Sequence, residues 1–177
     1  MPIVAPVPAD YDQRMSDFAL RRGNLGDAGA IADVWLRSRC AAVAYIPPPA
    51  HSETEVRVWI SEQVLVEGEC WVAHVRGGQI IAMLVVDGSW IEQLYVSPDC
   101  QRSGVGSALL DLAKRRVAGR LQLWTFQMNA PAQRFYEAHG FDCVEQTDGS
   151  RNEERTPDMR YVFSPIAGAT DPPPGKV

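Results

Sequence analysis

The chain has 177 residues, 46% hydrophobic and 22% charged, with a formal net charge of −5 at pH 7. That is apolar material for one domain with its own core, and the acidic balance lacks the basic patch that a nucleic-acid partner demands. Apolar runs such as Ile80 to Val86 are strand length, far short of a membrane span, and the start of the chain lacks a signal-peptide pattern, so a cytoplasmic protein with no membrane partner is expected.

Residues 1–17, with Pro2, Pro6 and Pro8 and no sustained period, read as a flexible N-terminal segment. The domain is expected over 18–164. Phe18 to Arg22 forms a first strand, ended by Gly23, and Asp27 can cap a helix to about Val43 with Ile31, Val34, Trp35 and Ser38 on its inner face. Pro47, Pro48 and Pro49 then force an extended loop from Tyr45 to His51. Ser52 with Glu55 makes a capping box for a second helix through about Leu65.

Glu69 to Arg76 and Gln79 to Val86 are strands joined by Gly77-Gly78, a tight-hairpin signal, and Asp87-Gly88 turns the chain into a strand from Trp90 to Val96. In that strand Trp90, Glu92, Leu94 and Val96 alternate with Ile91, Gln93 and Tyr95 until Ser97-Pro98-Asp99 stops the run. From Gly104 the period changes to that of a helix, with Val105, Leu109 and Leu112 on one face. Leu121 to Phe126 is a strand, Asn129 opens a helix that Gly140 ends, and strands follow at Phe141 to Gln146 and Arg160 to Phe163. The segment 165–177, ending Asp-Pro-Pro-Pro-Gly-Lys-Val, reads as a flexible C-terminal tail.

Cys40, Cys70, Cys100 and Cys143 show no metal-ligand spacing, nor do His51, His74 and His139, so free thiols and no metal are expected.

The turn Gln101-Arg102-Ser103-Gly104-Val105-Gly106 needs a reason for glycines at a helix start, since each costs about 1 kcal/mol in a helix interior. Either small residues serve packing, or a phosphate sits on the unpaired first-turn amides at the positive end of the helix dipole. Gly106-Ser107-Ala108 lacks the Lys-Ser or Lys-Thr pair of a nucleotide triphosphatase loop. Leu109 stands where a dinucleotide fold wants a third glycine. The segment resembles instead the Gln-x-x-Gly-x-Gly signature after the fourth strand of the GNAT superfamily of acyl-CoA-dependent N-acetyltransferases, at Gln101, Gly104 and Gly106. Downstream, Leu121 to Phe126 looks like that family's fifth strand and Asn129 to Phe141 like its Asn...Phe-Tyr-Glu...Gly-Phe segment. The chain departs from the commonest pattern at Arg102, where glycine is frequent, and at Ser103, where arginine or lysine is frequent.

The resemblance implies a mixed α/β fold, a mostly antiparallel seven-stranded mixed sheet flanked by four helices. It also implies acetyl-CoA as co-substrate. The pantetheine arm would lie along Leu94, Tyr95 and Val96, and the pyrophosphate on Gln101, Arg102, Ser103, Gly104, Val105, Gly106 and Ser107, with Asn129 capping its helix or touching the cofactor. Tyr136 matches the family's general-acid tyrosine; its alternative is a core aromatic beside Phe135. Glu92 resembles the glutamate proposed as base in some members, including spermidine/spermine acetyltransferases, and by strand alternation shares a face with Leu94 and Val96. Its alternative is a hydrated carboxylate that positions substrate. The family's arrangement offers Tyr45, His51, Trp59, Glu153 and Glu154 as acceptor contacts.

The expected activity is acetyl transfer to the primary amine of a small molecule by direct attack on the thioester. Two others stand beside it: a protein or peptide N-acetyltransferase, and a non-catalytic acyl-CoA-binding module. Analogy with relatives that pair adds a homodimer.

Overall fold

The computed structural model describes residues 18–117 and 119–165. The expected terminal segments, 1–17 and 165–177, lie outside these residues except for Pro165. Seven strands form one sheet: β1 (Phe18–Arg22), β2 (Glu69–Val75), β3 (Ile80–Asp87), β4 (Trp90–Val96), β5 (Leu121–Phe126), β6 (Asp142–Gln146) and β7 (Asp158–Phe163). Their order is β1-β2-β3-β4-β5-β7-β6, with β4 and β5 the parallel pair and the other neighbours antiparallel.

Four helices flank the sheet: α1 (Ala28–Ala41), α2 (Glu53–Trp59, continued by a π turn at Ile60–Val64), α3 (Val105–Arg116) and α4 (Ala130–Ala138). The α1 face predicted from its period is the buried one, at Ile31, Val34, Trp35 and Ser38. Asp27 does not cap it with its side chain. Its carboxylate instead takes a two-pronged bond from Arg21 and closes a capping box with Asn24 over a single 3-10 turn. That bond to Arg21, ahead of all other causes, holds the Asp27 carboxyl below its ordinary range. The predicted Ser52–Glu55 box does cap α2.

Two hydrophobic layers result, one on each face. Ile31, Val56, Ile60, Val72 and Met83 pack between α1, α2 and the sheet. Leu84, Leu109, Leu110, Leu121, Leu123 and Phe141 pack between α3, α4 and the other face. Leu109, Leu110 and Leu121 are fully buried, each contributing about 2 kcal/mol by removal from water.

The sheet is divided at its parallel pair. β4 is in register with β3 at six positions but with β5 only at Trp90↔Gln122, so the two strands part beyond that point. A bulge accompanies the parting. Val85 faces Gln93 while Val86 faces Ile91, which leaves Glu92 as the extra residue and bends β4. Ser97 donates to Ile81 on the β3 side, so by alternation the backbone polar groups of Leu94 and Val96 point into the gap.

Candidate active site

The gap between β4 and β5 is the mouth of a cavity of about 750 Å3. Leu94, Tyr95 and Val96 form one wall and Trp124, Thr125 and Phe126 the other; Asn129, just before α4, with Phe135 and Tyr136 on that helix closes it on one face, Ser38 and Arg39 of α1 on the opposite one. At its end lie Gln101, Arg102, Gly104, Gly106 and Ser107.

That end exposes an uncapped helix start. Gly104, the residue before α3, has φ +84° and offers no side chain to cap the helix, so the first-turn amides have no capping partner. Nothing stands within 4 Å of where a Cβ at Gly104 would be. Arg102, where the resembled pattern often carries glycine, has φ +64°, and this left-handed backbone explains that preference. Ser103 and Val105 do not line the cavity. Ser103 donates to the Cys100 carbonyl at 2.6 Å, and Val105 is 1% exposed in the core. The Val96 carbonyl in the gap accepts from Ser38 at 2.9 Å and from Gln101 at 3.4 Å, so the Leu94 backbone is the freer pairing edge.

Tyr136 is 8% exposed, its ring against Phe135 and Phe141, and it lines the cavity. Burial first, and the nearby Tyr95 phenol second, push its hydroxyl well above the ordinary phenol range. It is thus both a core aromatic and a cavity residue. Phe135 covers the glycine turn: a Cβ at Gly106 would meet its Cζ at 3.5 Å. Asn129 caps α4, accepting from the Ala132 amide at 3.2 Å, and its residue also lines the cavity.

Glu92 is placed differently from the alternation argument. The bulge shifts the strand's phase, so Ile91 enters the core shared with Leu94 and Val96, while Glu92 is exposed and lines neither cavity of the site. Partial burial of its carboxylate and then the charge of Asp87 raise its pKa.

A second cavity, of about 700 Å3, lies on the α1–α2 face and is lined by Trp35, Trp59, His51, Gln93, Glu153 and Glu154 among others. Trp35 meets Trp59 edge-on at 6.4 Å and Tyr95 at 5.8 Å, and its indole N–H donates to the Gln93 side chain at 3.1 Å. His51, Trp59, Glu153 and Glu154 are therefore together, whereas Tyr45 lines the first cavity. The two cavities share two residues, Arg39 and Tyr95.

Arg39 was not legible as a site residue, although the i, i+4, i+8 row from Ile31 through Trp35 leads to it. It is 5% exposed, lies over the rings of Trp35 and Phe126, and pairs with Glu154 at 3.1 Å. Its Nε is buried without a partner among the described residues. Burial raises the Tyr95 phenol, while the charge and hydrogen bond of Arg39 work in the opposite direction.

Glu153 and Glu154 ride on a loop that fixes its own shape. Asn152 donates to Asp158 and to the Thr156 carbonyl, Thr147 donates to Asp158, and a Cβ at Gly149 would sit 2.2 Å from the Thr156 backbone. Among the described residues no group of His, Cys, Asp and Glu could hold a metal ion, and no helix is long and apolar enough to cross a membrane.

Residues 66–143 match the family model of the acetyltransferase (GNAT) domain. The peptidyl-lysine N-acetyltransferase YiaC of Escherichia coli K12 is 26% identical over 126 residues, 71% of this chain and 84% of that protein. The solution structure of apo-form YjaB from Escherichia coli superposes with a TM-score of 0.68 at 22% identity, over 82% of this chain and 97% of that one. The PaiA N-acetyltransferase of Thermoplasma acidophilum, solved in complex with coenzyme A, gives a TM-score of 0.63 at 20% identity, over 84% and 99% of the two chains. With its seven-stranded mixed sheet, four helices and glycine turn, the chain carries the GNAT acetyltransferase domain, the fold and chemistry of acetyl-CoA-dependent N-acetyltransferases.

Proposed function

We propose that this N-acetyltransferase acts on the primary amine of a small molecule, with the acyl carrier in the β4–β5 cavity and the acceptor in the cavity beside α2. The observation that carries this reading is the meeting of the two cavities at Arg39 and Tyr95, which gives carrier and acceptor separate approaches to one point.

The first cavity suits a CoA thioester on its own features: an uncapped helix start with room at Gly104, and a strand edge at Leu94 free to pair with amides of an extended arm. Bound acetyl-CoA would supply an acetyl group activated as a thioester. The amides of Gly104 to Ser107 would hold the pyrophosphate, and Leu94 to Val96 would align the pantetheine. Tyr136 keeps its proton at neutral pH and would deliver it to the departing sulfur.

In the second cavity the rings of Trp35 and Trp59 take the apolar body of an alkylamine, and Glu153 and Glu154 attract its charge. An alkylammonium must lose a proton before it attacks. Water beside Glu153 and Glu154 is the route these positions favour over Glu92.

A second reading has its own support. The relatives YiaC and YjaB are named peptidyl-lysine N-acetyltransferases, and a lysine side chain is itself an alkylammonium. Thiol release from acetyl-CoA over a panel of small amines, run beside mass spectrometry of lysine peptides, separates the two. Turnover with peptides and silence across the amines would replace the small-molecule reading.

A further inference from the structure

His139, at the end of α4, is bonded at both ring nitrogens. Its Nδ1 lies 2.7 Å from the Phe135 carbonyl and its Nε2 lies 2.9 Å from Oγ of Ser107. The ring also packs on Phe135 at 4.4 Å, the side chain that underlies Gly106.

These two partners define the proton positions. A carbonyl only accepts, so Nδ1 carries a hydrogen; in the neutral imidazole Nε2 must then accept, and Ser107 spends its one hydroxyl hydrogen on His139. What Ser107 presents to the cavity in that state is lone pairs. When His139 is protonated the bond reverses: Nε2–H donates to Oγ, and the Ser107 hydroxyl is released to donate elsewhere. A positive charge appears one residue behind the phosphate turn at the same moment.

We propose that His139 is a positioning residue for the cofactor's pyrophosphate, acting through Ser107, and that cofactor binding takes up a proton at His139. The inference rests on the assignment of Gly104 to Ser107 as the phosphate site. Protonation and phosphate binding favour each other, because the protonated state alone offers the anion both the serine donor and the added charge. Affinity is greatest where His139 is protonated and weaker where it is neutral.

The charged groups on the elements around the ring do not compete for this role. Lys114 on α3 donates to the His139 carbonyl at 2.6 Å, and Asp111 stands one turn after Ser107 on the same helix. On α4, Glu137 accepts from Tyr161 at 2.8 Å, and Arg134 lines the cavity, as does Arg102 of the turn. Carboxylates, lysines and arginines keep one ordinary charge state between about pH 6 and 8.

The test is calorimetric binding of dephospho-CoA between about pH 5.5 and 8.5. Dephospho-CoA is chosen because its pyrophosphate keeps one charge there, whereas the extra phosphate of CoA titrates in that range. Wild-type affinity should be greater at the acid end on the order of tenfold, the equivalent of one pKa unit. His139→Gln should bind within a few-fold of wild type at the alkaline end and lose the rise. Ser107→Ala, which leaves the imidazole in place, should lose most of it. A wild type that binds with a flat profile, or an equal slope in His139→Gln and Ser107→Ala, would overturn this inference while leaving the phosphate turn intact. Absence of binding at every pH, or binding unaltered by Gly104→Asp, would overturn the phosphate-turn assignment and this inference with it.

Discussion

The Arg39 guanidinium and the Glu154 carboxylate, 115 positions apart in the sequence, pair at 3.1 Å where the two cavities meet. The pair ties the loop of Glu153 and Glu154 to α1, and both side chains are largely withdrawn from water, at 6% and 19% exposure. Removing one partner of a buried pair strands the other charge, which costs roughly 3–5 kcal/mol. Glu154→Ala should therefore lower the melting temperature and raise the KM for the amine, while leaving dephospho-CoA affinity near wild type. Equal loss of amine and cofactor binding, read by steady-state kinetics and calorimetry, would contradict the separation of the two approaches.

Tyr136→Phe deletes one oxygen and keeps the ring contacts with Phe141 and Tyr161. Cofactor affinity should hold while turnover falls by roughly 10²- to 10⁴-fold, the span of a positioned acid. Turnover within a few-fold of wild type would leave Tyr136 a packing residue only.

Glu92→Gln offers the reverse contrast. A carboxylate on the bulge, exposed and lining neither cavity, should be dispensable, so turnover should change by a few-fold at most and the acidic limb of the pH–rate profile should stay where it is. A large drop with a displaced acidic limb would instead reinstate Glu92 as the base.

Alkaline stability follows from Cys70. Its thiol is pushed up from 9.0 to about 11, chiefly by burial, so the folded state favours the neutral form. A raised folded pKa gives stability that is complete below the unfolded value and is lost as pH climbs from about 9 toward 11, roughly 2–3 kcal/mol for this shift. The melting temperature should fall across that window, and Cys70→Ala, though less stable at neutral pH, should fall less steeply. Tyr136 shares the direction but begins higher, near the ordinary phenol value of about 10. Parallel slopes in wild type and Cys70→Ala would rule out the thiol as the cause.

Local chemistry determined what the sequence could show by itself. Strand alternation and helix period depend on neighbours a few residues away, so β1 to β5, the inner face of α1, the Ser52–Glu55 box and the Gly77-Gly78 hairpin were all legible. So was the glycine turn, because an uncapped helix start has its own spelling in Gly104 and Gly106. What the tertiary structure alone decided depends on contacts between distant segments. A bulge answers to the partner strand, and its one extra residue moved Glu92 out of the face that strict alternation assigns it. The parting of β4 from β5 has no signature in either strand. Arg39 reads as an ordinary helix arginine until the loop that carries Glu154 folds back over it, and only that closure makes one guanidinium the boundary between two cavities.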